Sequence, residues 1–246
     1  MDTLKFTLSG RTAFFKKPEV NTYYYFTYGN IHKVALLGIL GAISGYKGYN
    51  QQEVEGTLYP EFYERLKNIK IGIVPRNEKG YISKKVQVFN NSVGYASKEL
   101  GGNLIVKEQW LEEPKWDIYI LIDGDIERGL ANRIINKRAT FIPYLGKNDH
   151  MADIIDVELI KDIKKSDIAS RIDSLFIKDN FNLVPFEDDF SEEYIQPFKY
   201  EEMLPIALEE NTNKYELETF IYTNSELENI KDSIVYKCNE KIIFFF

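Results

Sequence analysis

Residues 31–44, IHKVALLGILGAIS, leave a chain little choice. Val34, Leu37, Ile39, Leu40 and Ile43 cover much of a helix's circumference and no proline interrupts them, so the helix must be buried. Gly38 and Gly41 sit three apart on nearly one face, and each costs a helix roughly 1 kcal/mol relative to alanine. That spacing predicts another backbone passing close by. Upstream, residues 5–8 alternate as a short strand, whose side chains point to opposite faces. Gly10 ends the pattern, and a basic, aromatic loop follows with Arg11, Phe14, Phe15, Lys16, Lys17 and Pro18. Downstream, GYKGYN places Tyr46, Lys47 and Tyr49 in a glycine-punctuated turn.

Further along, residues 58–68 read as a helix, with Phe62, Leu66 and Ile69 at helical spacing, and 70–74 as a strand ending at Pro75. Residues 81–89 and 104–111 alternate as two strands, joined by a connector, 90–103, that contains Gly94, Gly101 and Gly102. It is longer than a usual hairpin loop and predicts an exposed arm. Lys84, Lys85, Lys98 and Lys107 decorate this arm, with Phe89 and Tyr95 near its tip. Cations there suit phosphates and aromatic rings suit stacking on bases, although a lysine-rich hairpin is also simply a soluble one. WDIYILI, 116–122, is apolar enough for a central strand. Residues 126–136 form a second main helix that Asp125 is placed to cap, and 152–160 a last strand.

The order is β-α-β-β-α-β, so the fold class expected is α+β, a ferredoxin-like (RRM-like) domain with an inserted long β-hairpin arm. Such a sheet offers a broad face, which RNA-binding modules commonly use. The domain spans 1–162, with the arm at about 76–110, and a small β-rich C-terminal domain spans 163–246. In that second part 163–176 reads as a short helix or turns and 187–193 as an acidic loop. Residues 195–207 run extended, and strands are expected at 181–186, 215–222, 233–236 and 241–246.

At 246 residues the chain can bury a real core. The lone cysteine, Cys238, excludes an internal disulfide framework and any multi-cysteine metal cluster. No signal peptide is expected, and no apolar run reaches the roughly 20 residues that span a bilayer. A cytoplasmic protein without membrane contact follows. The formal charge of −7 argues against nucleic acid until its distribution is read. The first fifty residues carry six Lys and Arg against two acidic side chains, and residues 201–246 carry four against ten. The N-terminal half can therefore present a basic front while the other half faces solvent or a protein.

Catalytic signals are thin. A phosphate-binding GxxxxGK[ST] loop is absent, though TFIPYLGKNDH, 140–150, makes a polar loop with Lys147 and Asn148 as candidates. Asp149 with Asp153 and Asp123 with Asp125 read as caps and turns, so neither metal nor cofactor is expected. The two histidines, His32 and His150, suffice for metal-independent RNA cleavage only if both converge with a tyrosine such as Tyr46 or Tyr49 on the scissile bond. At a helix start, His32 is better read as a cap or as packing against the aromatic run 23–28.

Five segments carry a family resemblance: FTLSGRTAFFKKPEVN, the Tyr-rich run into IHKVALLGILGAISGY, YPEFYERL, FNNSVGYASKELGGNLIVKEQWL and PYLGKNDHMADI. In this order, over about the first two thirds of the chain, they resemble the fifth CRISPR-associated protein family, in its type I-B flavour. Members of that family, part of the RAMP superfamily, sit at the base of type I Cascade surveillance complexes and hold the 5′ handle of the crRNA. The resemblance implies a noncatalytic structural subunit, with the arm as a thumb that hooks over the handle and meets the adjoining backbone subunit. It implies as partners the crRNA 5′ handle, the Cascade large subunit, the hexameric backbone subunit, and target DNA near its PAM-proximal end. On this expectation Arg11, Lys16 and Lys17 with Tyr46 and Lys47 orient the phosphodiester path, the arm from Lys84 to Lys107 clasps the RNA, and Asn21, Asn90 or Asn91 contact bases. The rivals are an endoribonuclease that processes pre-crRNA and a protein-interaction subunit without RNA contact. One branch of the family does cleave precursor RNA, using a tyrosine with a Lys-His pair; that pair is absent from the middle of this chain.

Overall fold

The computed structural model describes residues 1–19, 23–166, 170–185, 196–229 and 232–246. Strands β1 (Asp2–Ser9) and β2 (Thr12–Ala13) lead into helices α1 (Lys33–Ser44), α2 (Tyr49–Glu55) and α3 (Glu61–Leu66). Then come β3 (Ile71–Pro75), the arm strands β4 (Lys84–Asn90) and β5 (Ile105–Glu112), β6 (Lys115–Ile122), α4 (Asp125–Ile135) and β7 (Asp153–Ile160). The rest is strand: β8 (Lys164–Lys165), β9 (Phe176–Ile177), β10 (Phe181–Leu183), β11 (Lys199–Leu208), β12 (Tyr215–Thr223), β13 (Leu227–Asn229), β14 (Ile234–Cys238) and β15 (Lys241–Phe245).

The main sheet has the order β3-β6-β1-β7, with every neighbouring pair antiparallel. Strict alternation sends Leu4, Phe6 and Leu8 of β1, with Trp116, Ile118 and Ile120 of β6, to one face, where they pack with α1 and α4. The register of β1 against β7 shifts between Lys5 and Thr7, and Asp156 takes up the extra residue at φ 51°. The result is a mixed α+β fold with several antiparallel sheets.

The broad open face expected of this sheet is closed. Tyr119, Leu121 and Val74 bury against Cys238, Ile243 and Phe245 of β14 and β15. The run WDIYILI is apolar on both sides because both sides are covered. Asp117, buried on the second face, accepts hydrogen bonds from Thr7 Oγ1 at 2.9 Å and Arg76 Nη1 at 2.9 Å. Burial raises its pKa, but Arg76 and Thr7 outweigh that and hold the carboxyl below the usual range.

Helix α1 begins at an N-cap, His32, whose Nδ1 accepts the Ala35 N–H at 3.2 Å, and ends at Gly45, whose φ of 82° supplies the left-handed C-cap. The close approach predicted for its glycines occurs at one of them. A Cβ on Gly41 would lie 2.5 Å from Phe62 Cβ, whereas one on Gly38 would meet nothing within 4 Å. Other expectations shift locally. Tyr49, read as part of a turn, instead opens α2. The helix expected over 58–68 shrinks to α3 because Pro60 takes the N-cap position. Gly124 rather than Asp125 caps α4, and Asp125 instead pairs with Arg128 at 2.7 Å within the first turn. Of the two readings offered for 163–176, turns leading to a strand fit the described residues, which hold the short β8 and the start of β9; 167–169 lie outside the described residues. Phe186, Ile195 and the acidic loop 187–193 lie outside the described residues.

Three small sheets, β11-β12-β9, β15-β14-β8 and β10-β13, make up the C-terminal part. Leu175, Leu204, Leu208 and Phe220 from that part join the same buried cluster as α1 and the first sheet. Asn30, fully buried just ahead of α1, links three elements: it accepts from Trp116 Nε1 at 2.8 Å and donates to the Gly80 carbonyl at 3.1 Å. Replacing it by alanine strands two sealed polar groups. Asn30→Ala is expected to lower unfolding free energy by on the order of 2–4 kcal/mol, read as a lower urea midpoint with an unchanged slope; a loss below about 0.5 kcal/mol would contradict this role.

Candidate nucleic-acid interface

The arm is anchored at its base at two places along the edge of β5 that β4 leaves free. Strand β2 pairs with β5 through Thr12↔Glu112 and Ala13↔Leu111. Along another stretch of β5, the Tyr25 N–H donates to the Lys107 carbonyl at 2.9 Å and its carbonyl accepts from Gln109 N–H at 2.9 Å. Tyr25 is held there because Lys17 N–H donates to Phe26 O and Tyr28 N–H to Phe15 O, both at 2.8 Å. The loop 140–150 closes a further side. Thr140 and Phe141 donate to the Ile43 and Ala42 carbonyls at 3.0 and 3.1 Å, satisfying the end of α1, and Phe14 N–H donates to Leu145 O at 3.1 Å. Gly146, at φ 92°, lets this loop cross Phe14, whose carbonyl would collide with any Cβ there.

Between these elements lies a groove of about 470 Å³. Ala35, Gly38 and Ala42 of α1 form its small-residue wall, and Phe14, Phe15, Tyr25, Tyr49, Tyr144 and Tyr215 supply rings. Lys16, Lys147, Glu108 and His32 are its polar members. Lys16 Nζ sits 4.2 Å over the Tyr25 ring. Lys147 Nζ meets both oxygens of the buried Glu108 at 3.0 and 3.1 Å, and Trp110 Nε1 donates to the same carboxylate at 2.8 Å. Lys147 also lies over the rings of Phe14 and Phe89, 5.6 and 5.5 Å from their centroids.

The expected cation set does not assemble as one patch. Lys16 and Lys147 share the groove, but Lys17 turns away to Glu202, 3.2 Å distant, and lies over the Tyr28 ring. Both Glu202 oxygens accept the Gly29 N–H, and Tyr200 Oη donates to one of them. Lys84 joins this cluster; burial, the largest cause, lowers its pKa despite the nearby Glu202. Arg11 and Lys85 line a second groove on another side of the arm base, of about 710 Å³, with Asn77, Ser83, Trp110, Glu112 and Glu113. Lys85 is 3.5 Å from Glu112 there.

The remaining candidates are scattered. Tyr46 is half-buried beneath the Arg65 guanidinium, 5.1 Å from its ring centroid, and Lys47 donates its N–H to Glu61 Oε2 at 3.0 Å; neither lines the groove, where Tyr49 stands instead. Asn90 is committed to the arm's connector, bonding Asn103 Oδ1 at 3.1 Å and accepting from Ser92 N–H at 3.0 Å. Asn91, Tyr95 and Lys98 are exposed at the tip, Lys107 on β5 and Asn148 in the loop beside Lys147. Asn21 lies outside the described residues. Residues not singled out from sequence for this surface are Tyr25, Glu108, Glu202 and Tyr215, the last brought in from β12.

His32 does both structural jobs expected of it, capping α1 and packing edge-on against Phe15 and Tyr28, with ring centroids 6.0 and 5.1 Å away. His150 is buried as well, its Nδ1 2.7 Å from Thr12 Oγ1 and its ring edge-on to Trp110. Burial pushes His32 down from 6.5 to about 3 and Tyr49 up from 10.0 to about 12. Both therefore stay neutral at pH 7. Among the described residues no group of three or more His, Cys, Asp and Glu is placed to hold a metal ion, and no helix is long and apolar enough to cross a membrane.

The α+β fold is similar to folds solved for CRISPR proteins. A CRISPR protein from Archaeoglobus fulgidus is similar over 99% of this chain and 98% of its own, at 14% identity and a TM-score of 0.52. A chain of a CRISPR RNA-guided surveillance complex is similar over 93% of this chain and 91% of its own, at 11% identity and a TM-score of 0.51. No protein-family model matches the sequence, and no curated protein matches it. At these identities the likeness is one of fold.

The His32 shift carries a pH dependence. Between pH 6.5 and about 3 the unfolded ring binds a proton that the folded ring refuses, so the stability held by the neutral ring is complete above 6.5 and lost as pH falls. Urea midpoints at pH 7.5 and 4.5 are expected to fall further apart in the wild type than in His32→Asn, which keeps a capping side chain; equal falls would show that the ring does not resist protonation.

Proposed function

We propose that this chain is a noncatalytic RNA-binding and scaffolding subunit of a CRISPR surveillance complex, of the Cascade kind, that holds the 5′ handle of the guide RNA. One observation carries the reading: the five sequence segments that bear the family resemblance, though far apart in the chain, all contribute to a single groove at the base of the arm. Phe14 to Lys16, Tyr25 and the α1 wall, Phe62, Glu108, and Tyr144 to Lys147 come from those five in turn. On this reading residues 1–162 form the ferredoxin-like RNA-binding unit with its arm and 163–246 a β-rich unit that shares its core. The arm meets the backbone subunit, other surfaces meet the large subunit and target DNA near its PAM-proximal end, and the complex works in the cytoplasm.

The pKa values support the noncatalytic part. Tyr49 and His32 share the groove, but an effective acid and base titrate near the working pH, and burial moves both far from it.

Phosphate contacts by exposed lysines make affinity salt-dependent. Filter binding to a repeat-containing precursor RNA, without metal, is expected to show uncleaved RNA whose affinity falls with salt. Lys16→Ala is expected to weaken binding and to lower the slope of log affinity against log salt by about 0.7. Cleavage by the chain alone would make it a processing enzyme instead. Failure to retain RNA, both alone and with neighbouring subunits, would leave the protein-interaction reading.

A further inference from the structure

Resting on that RNA-binding reading, we infer that the groove beside α1 is a pocket for a single extruded nucleobase, read by the Nε2–H of His32. The groove's charge balance favours a neutral occupant. Lys147 is compensated by Glu108, and the only other cation in the lining among the described residues, Lys16, is exposed and stacked on Tyr25. A phosphate would meet little uncompensated charge inside, whereas a flat heteroaromatic ring meets a lining rich in aromatic side chains together with the small residues Ala35, Gly38 and Ala42. The void at Gly38, where an added Cβ meets nothing within 4 Å, opens that wall although glycine weakens the helix.

The polar reader follows from the cap. Because His32 Nδ1 accepts the Ala35 N–H, the proton of the neutral ring resides on Nε2. Among the described residues Nε2 has no protein partner, and it is not one of the sealed, unpartnered side-chain atoms, which are Tyr28 Oη and His150 Nε2. His32 lines the groove, so this N–H is a fixed donor offered to the occupant. It suits a base edge that presents an acceptor, a ring nitrogen or a carbonyl oxygen.

The test is an abasic scan of a handle-containing RNA bound to the full chain, with free nucleoside monophosphates as a second arm. One abasic position is expected to weaken wild-type binding about tenfold, the order of loss of one stacked base. His32→Asn, which keeps a cap, and Gly38→Leu, which fills the groove without touching a neighbouring atom at Cβ, are expected to reduce that penalty to less than threefold while salt-dependent binding persists. A flat scan, or the same penalty in both variants, would overturn the pocket and leave the RNA-binding reading intact. Complete absence of RNA binding would remove both. Competition by millimolar nucleoside monophosphates that is lost in both variants, with a flat RNA scan, would assign the groove to a free nucleotide and overturn the proposal.

Discussion

A helix that is apolar around most of its circumference has to be covered on every side, and the cover found for α1 shapes the rest of the molecule. The first sheet supplies one side, α3 and α4 others, and Leu204 and Leu208 of β11 come from beyond residue 162 to complete it. That last contact makes the C-terminal strands part of the core that holds the helix. Only the strip at Ala35, Gly38 and Ala42 lacks large side chains, and there the cover stops short and leaves the groove. The same strip explains the unequal glycines: Gly41 admits Phe62, while Gly38 faces space.

Charge is organised by carboxylates drawn inside. Glu108 and Asp117 are nearly sealed, and Glu202 is largely so, and each is surrounded by donors. A charge buried this way costs several kcal/mol unless every partner is kept, so Lys17, Arg76 and Lys147 are held in place. The acidic excess of the C-terminal half is thus not all solvated surface: Glu202 reaches from β11 to the basic loop and to the Gly29 N–H. The cations near the groove are consequently more ordered and less free than their number in the sequence suggests.

The framework was legible because it is written in local periodicity: alternation gave the strands of the main sheet and the arm, and the apolar helix gave α1, with boundaries displaced by a few residues. The candidate site was legible only in part. Lys16 and Lys17 were expected to act together on one phosphodiester path, but adjacent residues of an extended chain point to opposite sides. Lys16 therefore faces the groove and Lys17 faces Glu202; Lys84 and Lys85 divide in the same way between Glu202 and the second groove. Glu202 and Tyr215 carry no local signal, since what brings them in is the packing of β11 and β12 on α1. The open sheet face was misjudged for a similar reason: the strands that close it are the last in the sequence.

Closing that face has a consequence for where a long ligand can lie. With β14 and β15 over one side of the sheet and the helices over the other, the extended surface that remains runs from the groove along β5 to the arm. A two-stranded hairpin is marginal by itself, and this one draws its support from β2 and from Tyr25 at its base. Tyr25 also lines the groove. Tyr25 thus joins the groove to the arm, since the residue whose ring lines the one is the residue whose backbone pairs with β5 at the base of the other.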